Sequence, residues 1–331
     1  MNPLPRWAGL LEEGLPLTRR PFRDLGASLG TGETALLEEV RRFAAEDPRY
    51  RGFRAVWSAR AFGFAGALCA FLVPRPRVEG IRGTLAGFPG VTHGYLREHR
   101  MNLWLTLQAP DEGVLREDAR RLRSLLGAEE GVVLPARRVF KLRARFAPSG
   151  SSVLFREEEE VSPWGEEPSQ ERRTILVTRS EEGFPLEAEP FDALGEAAGL
   201  EGERVLAFFR RSRDRRRLLR VGLTLRHRLL GWRENLLVGW QVPESRLERA
   251  GQAASACPGV SHCYARGDAP GWPYNLYAML HARTEGELRD LLAWLEGRVL
   301  PTDRVLLPTR EELRKTGGCV GSLLVRRGEG D

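Results

Sequence analysis

The sequence predicts an α+β protein that is a tandem duplication of one unit, a winged helix-turn-helix followed by a βαββαβ domain. Two observations predict this fold. Sequence motifs recur in a fixed register along the 331 residues, and both copies repeat one order of helix-like and strand-like periodicity. A chain of this length is expected to contain about two to four domains.

The duplication is visible as a register that holds over most of the chain. Pro89-Gly-Val-Thr-His93 recurs as Pro258-Gly-Val-Ser-His262, 169 positions later. Asn102-Leu recurs as Asn275-Leu, 173 positions later, so the second copy carries four additional residues between its histidine and its asparagine. Chance similarity does not keep a register over this distance, and we therefore infer two copies of one ancestral unit.

Five segments follow from this register. A stretch rich in Pro, Gly, Ser and Glu is typical of a solvated linker and separates the copies. The predicted segments are a winged helix-turn-helix at 1–62, a βαββαβ domain at 63–147, the linker at 148–172, a second winged helix-turn-helix at 173–231 and a second βαββαβ domain at 232–320.

Within each copy the local patterns favour the same elements. Residues 21–46 show a short helix, a glycine-containing turn and an amphipathic helix for which Thr31 is the expected N-cap, and strand-like stretches typical of a wing follow. The next domain begins with the apolar strand 67–73. It continues with a helix, two strands joined as a hairpin, a periodic helix over 111–127 and a last strand, an order that is the ferredoxin-like pattern.

Composition limits the classes of protein and partner. No uncharged apolar run approaches the roughly 18 residues of a membrane helix, and the N-terminus shows no signal pattern, so we expect a cytoplasmic protein without a membrane partner. The four cysteines form no CxxC pair and no zinc spacing. Net charge is +6, and all but two of the 51 basic residues are arginine. That bias fits either a genomic preference or an anionic partner, namely nucleic acid or a polycarboxylate.

Two long motifs carry a family resemblance that covers nearly the whole chain. Residues 259–266, GVSHCYAR, and 272–281, WPYNLYAMLH, resemble the siroheme decarboxylase branch of the Lrp/AsnC family, and residues 90–104, GVTHGYLREHRMNLW, resemble the partner subunit of the same enzymes. The resemblance implies a natural fusion of two related subunits whose halves pair as a pseudo-dimer, with further self-association left open.

The activity implied by the resemblance is decarboxylation of two acetate side chains of siroheme. The product would be 12,18-didecarboxysiroheme, which feeds haem d1 synthesis or an alternative haem route. No cofactor is expected beyond the iron tetrapyrrole of the substrate itself, because the macrocycle can accept the electron pair that the departing CO2 leaves behind.

Candidate site residues alternate along one predicted strand of each copy. His93, Tyr95, Arg97 and His99 in the first copy, and His262, Tyr264 and Arg266 in the second, are spaced to share a strand face. Histidine suits both iron ligation and proton donation near neutral pH. Histidines that only anchored a turn would need neither the tyrosine nor the arginine beside them.

The resemblance gives these residues expected roles. His93 and His262 are the candidate axial ligands of the substrate iron or its general acids, and the sequence does not decide which does which. The expected carboxylate clamps are Arg97, Arg100 and Arg266. The expected hydrogen-bond or proton donors are Tyr95, Tyr264 and Tyr274. His99, His281 and Trp272 complete the substrate-binding set, with Trp272 packed on the macrocycle. Structural roles are expected for Asn102 and Asn275, at the hairpin turns, and for Trp104 and Tyr277, in the core.

Two other classes of function stay open at this point. A DNA-binding regulator would use the two helix-turn-helix units, but residues 208–220 are basic whereas residues 34–46 are acidic. This asymmetry argues against a palindromic operator, which requires two similar recognition helices. A non-catalytic haem or siroheme binding protein would use the same residues as the decarboxylase without releasing CO2.

Overall fold

The computed structural model describes residues 3–142, 167–267, 269–316 and 318–328, and they form two compact units. One unit is made of the described parts of Met1–Phe62, Phe146–Arg226 and Gly317–Asp331, and the other of those of Gly63–Arg145 and His227–Thr316. Each unit thus joins the same kind of domain from both copies.

The order of elements repeats from copy to copy. The first copy contains α1 (Arg6–Glu13), α2 (Pro21–Leu29), α3 (Glu33–Glu46), β1 (Tyr50–Trp57), β2 (Ala65–Leu72), α4 (Ile81–Ala86), β3 (Val91–Arg97), β4 (Leu103–Ala109), α5 (Glu112–Leu125) and β5 (Glu130–Leu142). The second copy contains α6 (Gln170–Glu182), α7 (Pro190–Ala198), α8 (Gly202–Asp214), β6 (Leu218–Leu225), β7 (Glu234–Gln241), α9 (Glu244–Ala256), β8 (Val260–Arg266), β9 (Leu276–Ala282), α10 (Glu285–Val299) and β10 (Asp303–Lys315), and α11 (Val320–Gly328) follows. No helix among the described residues has the length and apolarity needed to cross a membrane.

The helical unit contains both helix-turn-helix pairs, with two differences from the expectation. The residue that caps α3 is Gly32, not Thr31. The expected wings take another form, because β1 pairs antiparallel with β6 of the other copy in a two-stranded sheet. Of the predicted linker, residues 148–166 lie outside the described residues and 170–172 belong to α6.

The other unit is an eight-stranded closed barrel with the order β10-β3-β4-β2-β5-β8-β9-β7. Both copies have the predicted βαββαβ order. The last strand of each copy has 13 residues and is long enough to pair with both copies. Its first part pairs within its own copy. Its second part pairs with the other copy, β5 with β8 and β10 with β3. Because every strand has two neighbours, the barrel leaves no open sheet edge.

Strand alternation divides the apolar side chains of the barrel between two sides. On β2, Cys69 and Phe71 pack toward the helices of the first copy, whereas Leu68 and Ala70 point into the barrel. The second copy has its own core between sheet and helices. The interior cluster draws on both copies and includes Trp104, so the barrel is held together by a core that neither copy forms alone.

Candidate active site

Each copy places a histidine, a tyrosine and an arginine in a row on the inner face of one strand. The His93 and Tyr95 rings stack with centroids 6.3 Å apart, and the Arg97 guanidinium lies 5.1 Å from the Tyr95 ring. The second copy repeats this row: His262 and Tyr264 stack at 6.3 Å, and the Arg266 guanidinium lies 4.8 Å from the Tyr264 ring. The predicted alternation along β3 and β8 is confirmed for these residues.

Both rows point into the barrel. Tyr95 lies directly across from Trp104 on β4, and Tyr264 across from Tyr277 on β9. Cross-strand partners share a face of the sheet, and both of these partners belong to the interior cluster. The two histidines and two tyrosines are only half-buried, so this part of the interior is reachable from outside.

The two histidines lie at the same end of the barrel. Four antiparallel pairings connect β3 to β8 around the barrel, so the two strands run in the same direction. His93 and His262 both lie near the start of their strands. Arg97 and Arg266 end them, toward the packed end of the interior. The geometry therefore brings imidazoles from both copies to one opening.

The two arginines hold the other copy's strand. Nη1 of Arg97 donates to the Leu307 carbonyl of β10 at 2.7 Å, and Nη1 of Arg266 donates to the Leu134 carbonyl of β5 at 3.2 Å. Burial lowers the pKa of Arg97 to about 10 and lowers that of Arg266. The Nε atom of each has no hydrogen-bond partner among the described residues. Two buried cations thus keep unused donor capacity.

Histidines of the second copy form a cluster at the opening. Nε2 of His281 lies 2.9 Å from Oγ of Ser261, and the ring of His281 meets that of His227 edge to face at 5.4 Å. Burial lowers the pKa of His281 to about 3, with further contributions from His227, His262 and Lys315. Burial also lowers the pKa of His262 to about 4, and the charge of Lys315 adds to that effect. Both imidazoles are therefore neutral near pH 7 in the protein alone.

Several residues at this opening are not among those selected from the sequence. His227 lies two residues after the end of β6, and nothing in the sequence predicts that it lies beside His281. Lys315 lies across from His93, and Glu312 across from Tyr95, in the β10–β3 pairing. The rarity of lysine could have drawn attention to Lys315, since it is one of only two lysines in the chain. Sequence alone, however, does not show that the end of β10 crosses to the other copy.

The hairpin turns at the packed end contain the remaining predicted residues. His99 is not on the strand face, because β3 ends at Arg97 and Nδ1 of His99 accepts from the Met101 amide within the turn at 3.0 Å. Burial lowers the pKa of His99. Arg100 is exposed and pairs with Glu130.

In the second copy, Trp272 is buried between the rings of His99 and Trp104, with centroids 5.5 Å away in each case. The hydroxyl of Tyr274 donates to Asp303 at 3.1 Å, and burial together with this hydrogen bond raises the pKa of Tyr274. Trp272 and Tyr274 thus contact other side chains at the packed end of the barrel, and they do not belong to the half-buried rows at the other end.

The structural roles predicted for four residues are confirmed. The side chains of Asn102 and Asn275 each bond to both backbone groups of one residue near the end of the neighbouring strand. Trp104 and Tyr277 are fully buried.

A surface cleft of about 750 Å³ lies at the Asn275 end of the barrel. It is lined by Gln241, Val242, Pro243, Glu244, Ala269, Gly271, Trp272, Pro273, Asn275 and Thr302. Of the candidate residues it contains only Trp272, and it holds none of the histidines. We therefore locate the candidate active site at the opposite opening, where the proton donors converge.

Comparison with known proteins identifies the family of the chain. The AsnC-like ligand binding domain model matches residues 61–141 and 229–314, and the siroheme decarboxylase NirDL-like HTH domain model matches residues 9–47. A siroheme decarboxylase NirDL subunit of Paracoccus denitrificans is 35% identical over 90% of this chain and 91% of its own length. A siroheme decarboxylase NirH subunit of Stutzerimonas stutzeri is 36% identical over 45% of this chain and 91% of its own length, so it corresponds to one copy.

A solved structure extends the comparison to the fold. The siroheme decarboxylase NirDL in co-complex with an iron-uroporphyrin III analogue matches with a TM-score of 0.69 and 26% identity, covering 97% of this chain and 95% of that one. Because relatives and family models agree over most of its length, the chain belongs to the siroheme decarboxylase family, in the NirDL form that carries both copies in one polypeptide.

Proposed function

We propose that this protein removes the carboxyl groups of two acetate side chains of siroheme, giving 12,18-didecarboxysiroheme for haem d1 or an alternative haem route. The observation that carries the proposal is the pair of inward His-Tyr-Arg rows, one from each copy, in one barrel opening. The relatives named siroheme decarboxylase support the substrate, and the analogue bound by the NirDL structure supports a tetrapyrrole site.

The chemistry needs a proton donor but no change of oxidation state. The bond between the methylene carbon and the carboxylate breaks, CO2 leaves, and the conjugated macrocycle takes up the electron pair. One proton then adds to the methylene carbon, so each acetate becomes a methyl group with uptake of one proton. His93, His262 and the neighbouring tyrosines Tyr95 and Tyr264 are the groups that can supply it.

The environment of these groups fits that task. Burial raises the pKa of Tyr264 to about 12 and keeps the His262 imidazole neutral. A bound polycarboxylate would raise the pKa of His262 by its negative charge, bringing the imidazolium within reach near neutral pH. In this proposal one of the two imidazoles, that of His93 or that of His262, would serve as the axial ligand of the substrate iron.

We propose that the buried arginines bind carboxylate groups at the edge of the siroheme macrocycle. Arg97 and Arg266 are buried cations, and the partners of their Nη1 atoms are uncharged: main-chain carbonyls in both cases and, for Arg97, also the Thr309 hydroxyl. Their Nε atoms lack hydrogen-bond partners in that part of the chain. A substrate carboxylate would satisfy both the charge and the free donor.

The test is anaerobic incubation with siroheme, followed by mass analysis of the tetrapyrrole and by spectral titration. We expect loss of one and then two CO2, and we expect His93→Ala and His262→Ala to alter the binding spectrum or slow CO2 release. Glu117→Ala, on the exposed surface of α5, is the matched control. Tight binding without CO2 release would mean a siroheme binding protein. Unchanged spectra and unchanged CO2 release in both histidine variants would refute the assigned roles.

A further inference from the structure

The two half-sites are equivalent in backbone but different in chemistry. In the first copy, Tyr95 lies across from Glu312 and His93 across from Lys315. In the second copy, the corresponding positions across from Tyr264 and His262 are Val139 and Leu142.

The difference continues on the other side of each row. The next strand places Thr106 across from His93 but Met279 across from His262. The neighbouring strands thus place polar or charged side chains beside the imidazole and phenol of the first row and apolar side chains beside those of the second. Both rows end in a buried arginine.

Lys315 is the cation that distinguishes the first half-site. Its side chain is 22% exposed, and its Nζ lies 3.9 Å from Oε2 of Glu312. The other lysine, Lys141, donates to the Cys257 carbonyl at 2.7 Å and lies across from Cys263, which belongs to the core between sheet and helices. Of the two lysines, only Lys315 therefore faces the interior of the barrel.

A cation and an apolar wall act in opposite ways on a carboxylate that is to be lost. In the transition state of decarboxylation, the negative charge of the carboxylate moves into the macrocycle. An ammonium group therefore stabilises the ground-state carboxylate more than the transition state, and it raises the barrier to loss of the carboxylate that it binds. Apolar surroundings destabilise the localised charge of the carboxylate, and so favour its loss as CO2. The two half-sites therefore suit different carboxylates of one substrate.

We propose that Lys315 binds a carboxylate that the product retains, and that both decarboxylations take place at the second half-site, beside His262 and Tyr264. This inference rests on the proposed function and assigns its two half-sites. Since one half-site acts on two acetates, the macrocycle must turn between the two steps. A species that has lost a single CO2 is therefore expected to appear before the final product.

The experiment exchanges the residues that distinguish the half-sites. We expect Lys315→Met to weaken siroheme binding about tenfold, the effect of one charge-assisted hydrogen bond, with a smaller effect on kcat. Lys315→Arg should restore most of the binding. Leu142→Lys should lower kcat at least about tenfold with little effect on binding, because it places a cation beside the reacting carboxylate. Leu142 is 48% exposed, so the added lysine is compatible with folding. Arg310→Met, exposed on β10, is the control.

The outcomes separate this inference from the function on which it rests. If the unaltered protein releases no CO2, the proposed function fails, whereas the binding measurements on Lys315→Met still decide whether Lys315 holds a carboxylate. If the unaltered protein is active, a reversed pattern overturns the inference: Lys315→Met lowers kcat more than it weakens binding, and Leu142→Lys leaves kcat unchanged. Simultaneous appearance of the doubly decarboxylated product, without the singly decarboxylated species, also overturns it.

Discussion

Replacing either hairpin asparagine by alanine should destabilise the barrel by the same amount. Oδ1 of Asn102 accepts from the Val73 amide at 2.9 Å and its Nδ2 donates to the Val73 carbonyl at 2.8 Å. Asn275 makes the same two bonds to Val242, at 2.9 and 2.8 Å. Val73 and Val242 are 1% and 2% exposed, so water cannot easily replace the lost partners.

The size of the effect follows from these contacts. Each alanine variant loses two hydrogen bonds worth about 1 kcal/mol apiece, and leaves a buried amide and a buried carbonyl with part of their desolvation penalty. We expect a loss of about 2–4 kcal/mol in the free energy of unfolding for each variant. Since the bond lengths agree between copies, the two losses should match within about 1 kcal/mol.

Urea unfolding followed by far-UV circular dichroism would measure the effect. The midpoint should fall in both variants while the denaturant slope stays constant. Gln252→Ala, an amide deletion on the exposed surface of α9, is the control and should change the stability by less than about 0.5 kcal/mol. A loss below about 1 kcal/mol in both asparagine variants, or a loss confined to one copy, would refute this reasoning.

Three further predictions concern the cores. Glu181 is buried and its pKa is raised by burial to about 7. The free energy of unfolding should therefore fall by about 3 kcal/mol as pH rises from about 4.5 past 7, and Glu181→Gln should flatten that pH profile in urea titrations. Burial raises the pKa values of Cys69 and Cys263 to about 12, so iodoacetamide should modify neither thiol until the protein unfolds, as mass analysis can show. Finally, a Cβ at Gly195 would lie 2.2 Å from the Leu200 carbonyl oxygen. Gly195→Ala should therefore lower the unfolding midpoint, with a cost of at least about 2 kcal/mol.

The repeat made the fold of each copy predictable, but it did not predict that strands of both copies close into one barrel. The order of elements in each copy follows from periodicity, and the inward row of His93, Tyr95 and Arg97 follows from alternation. The pairing of β1 with β6, and of each long last strand with the other copy, depends on contacts between residues far apart in the sequence. Strand propensity shows that a segment pairs, but it does not identify the partner.

The same limit explains which site residues sequence reasoning missed. Lys315 and Glu312 are at the far end of β10, which looks like a tail until its pairing with β3 is known. His227 appears in the sequence as part of an arginine-rich segment before β7, and only the barrel brings it to His281. His99 was expected on the strand because alternation continues through the motif, but the hairpin turn begins after Arg97 and ends the alternation there.

Fusion of the two copies has a consequence for how a planar substrate is bound. A barrel with two identical half-sites would bind a macrocycle in two orientations related by its pseudo-two-fold axis, with equal occupancy. In one polypeptide each half can change separately, and here Lys315 has Leu142 as its counterpart. A charge-assisted hydrogen bond contributes about 1.5–3 kcal/mol, and about 1.4 kcal/mol already selects one orientation tenfold over the other. A single lysine on one side is therefore enough to decide which acetate meets the apolar half-site, a choice that two copies of one symmetric subunit could not make.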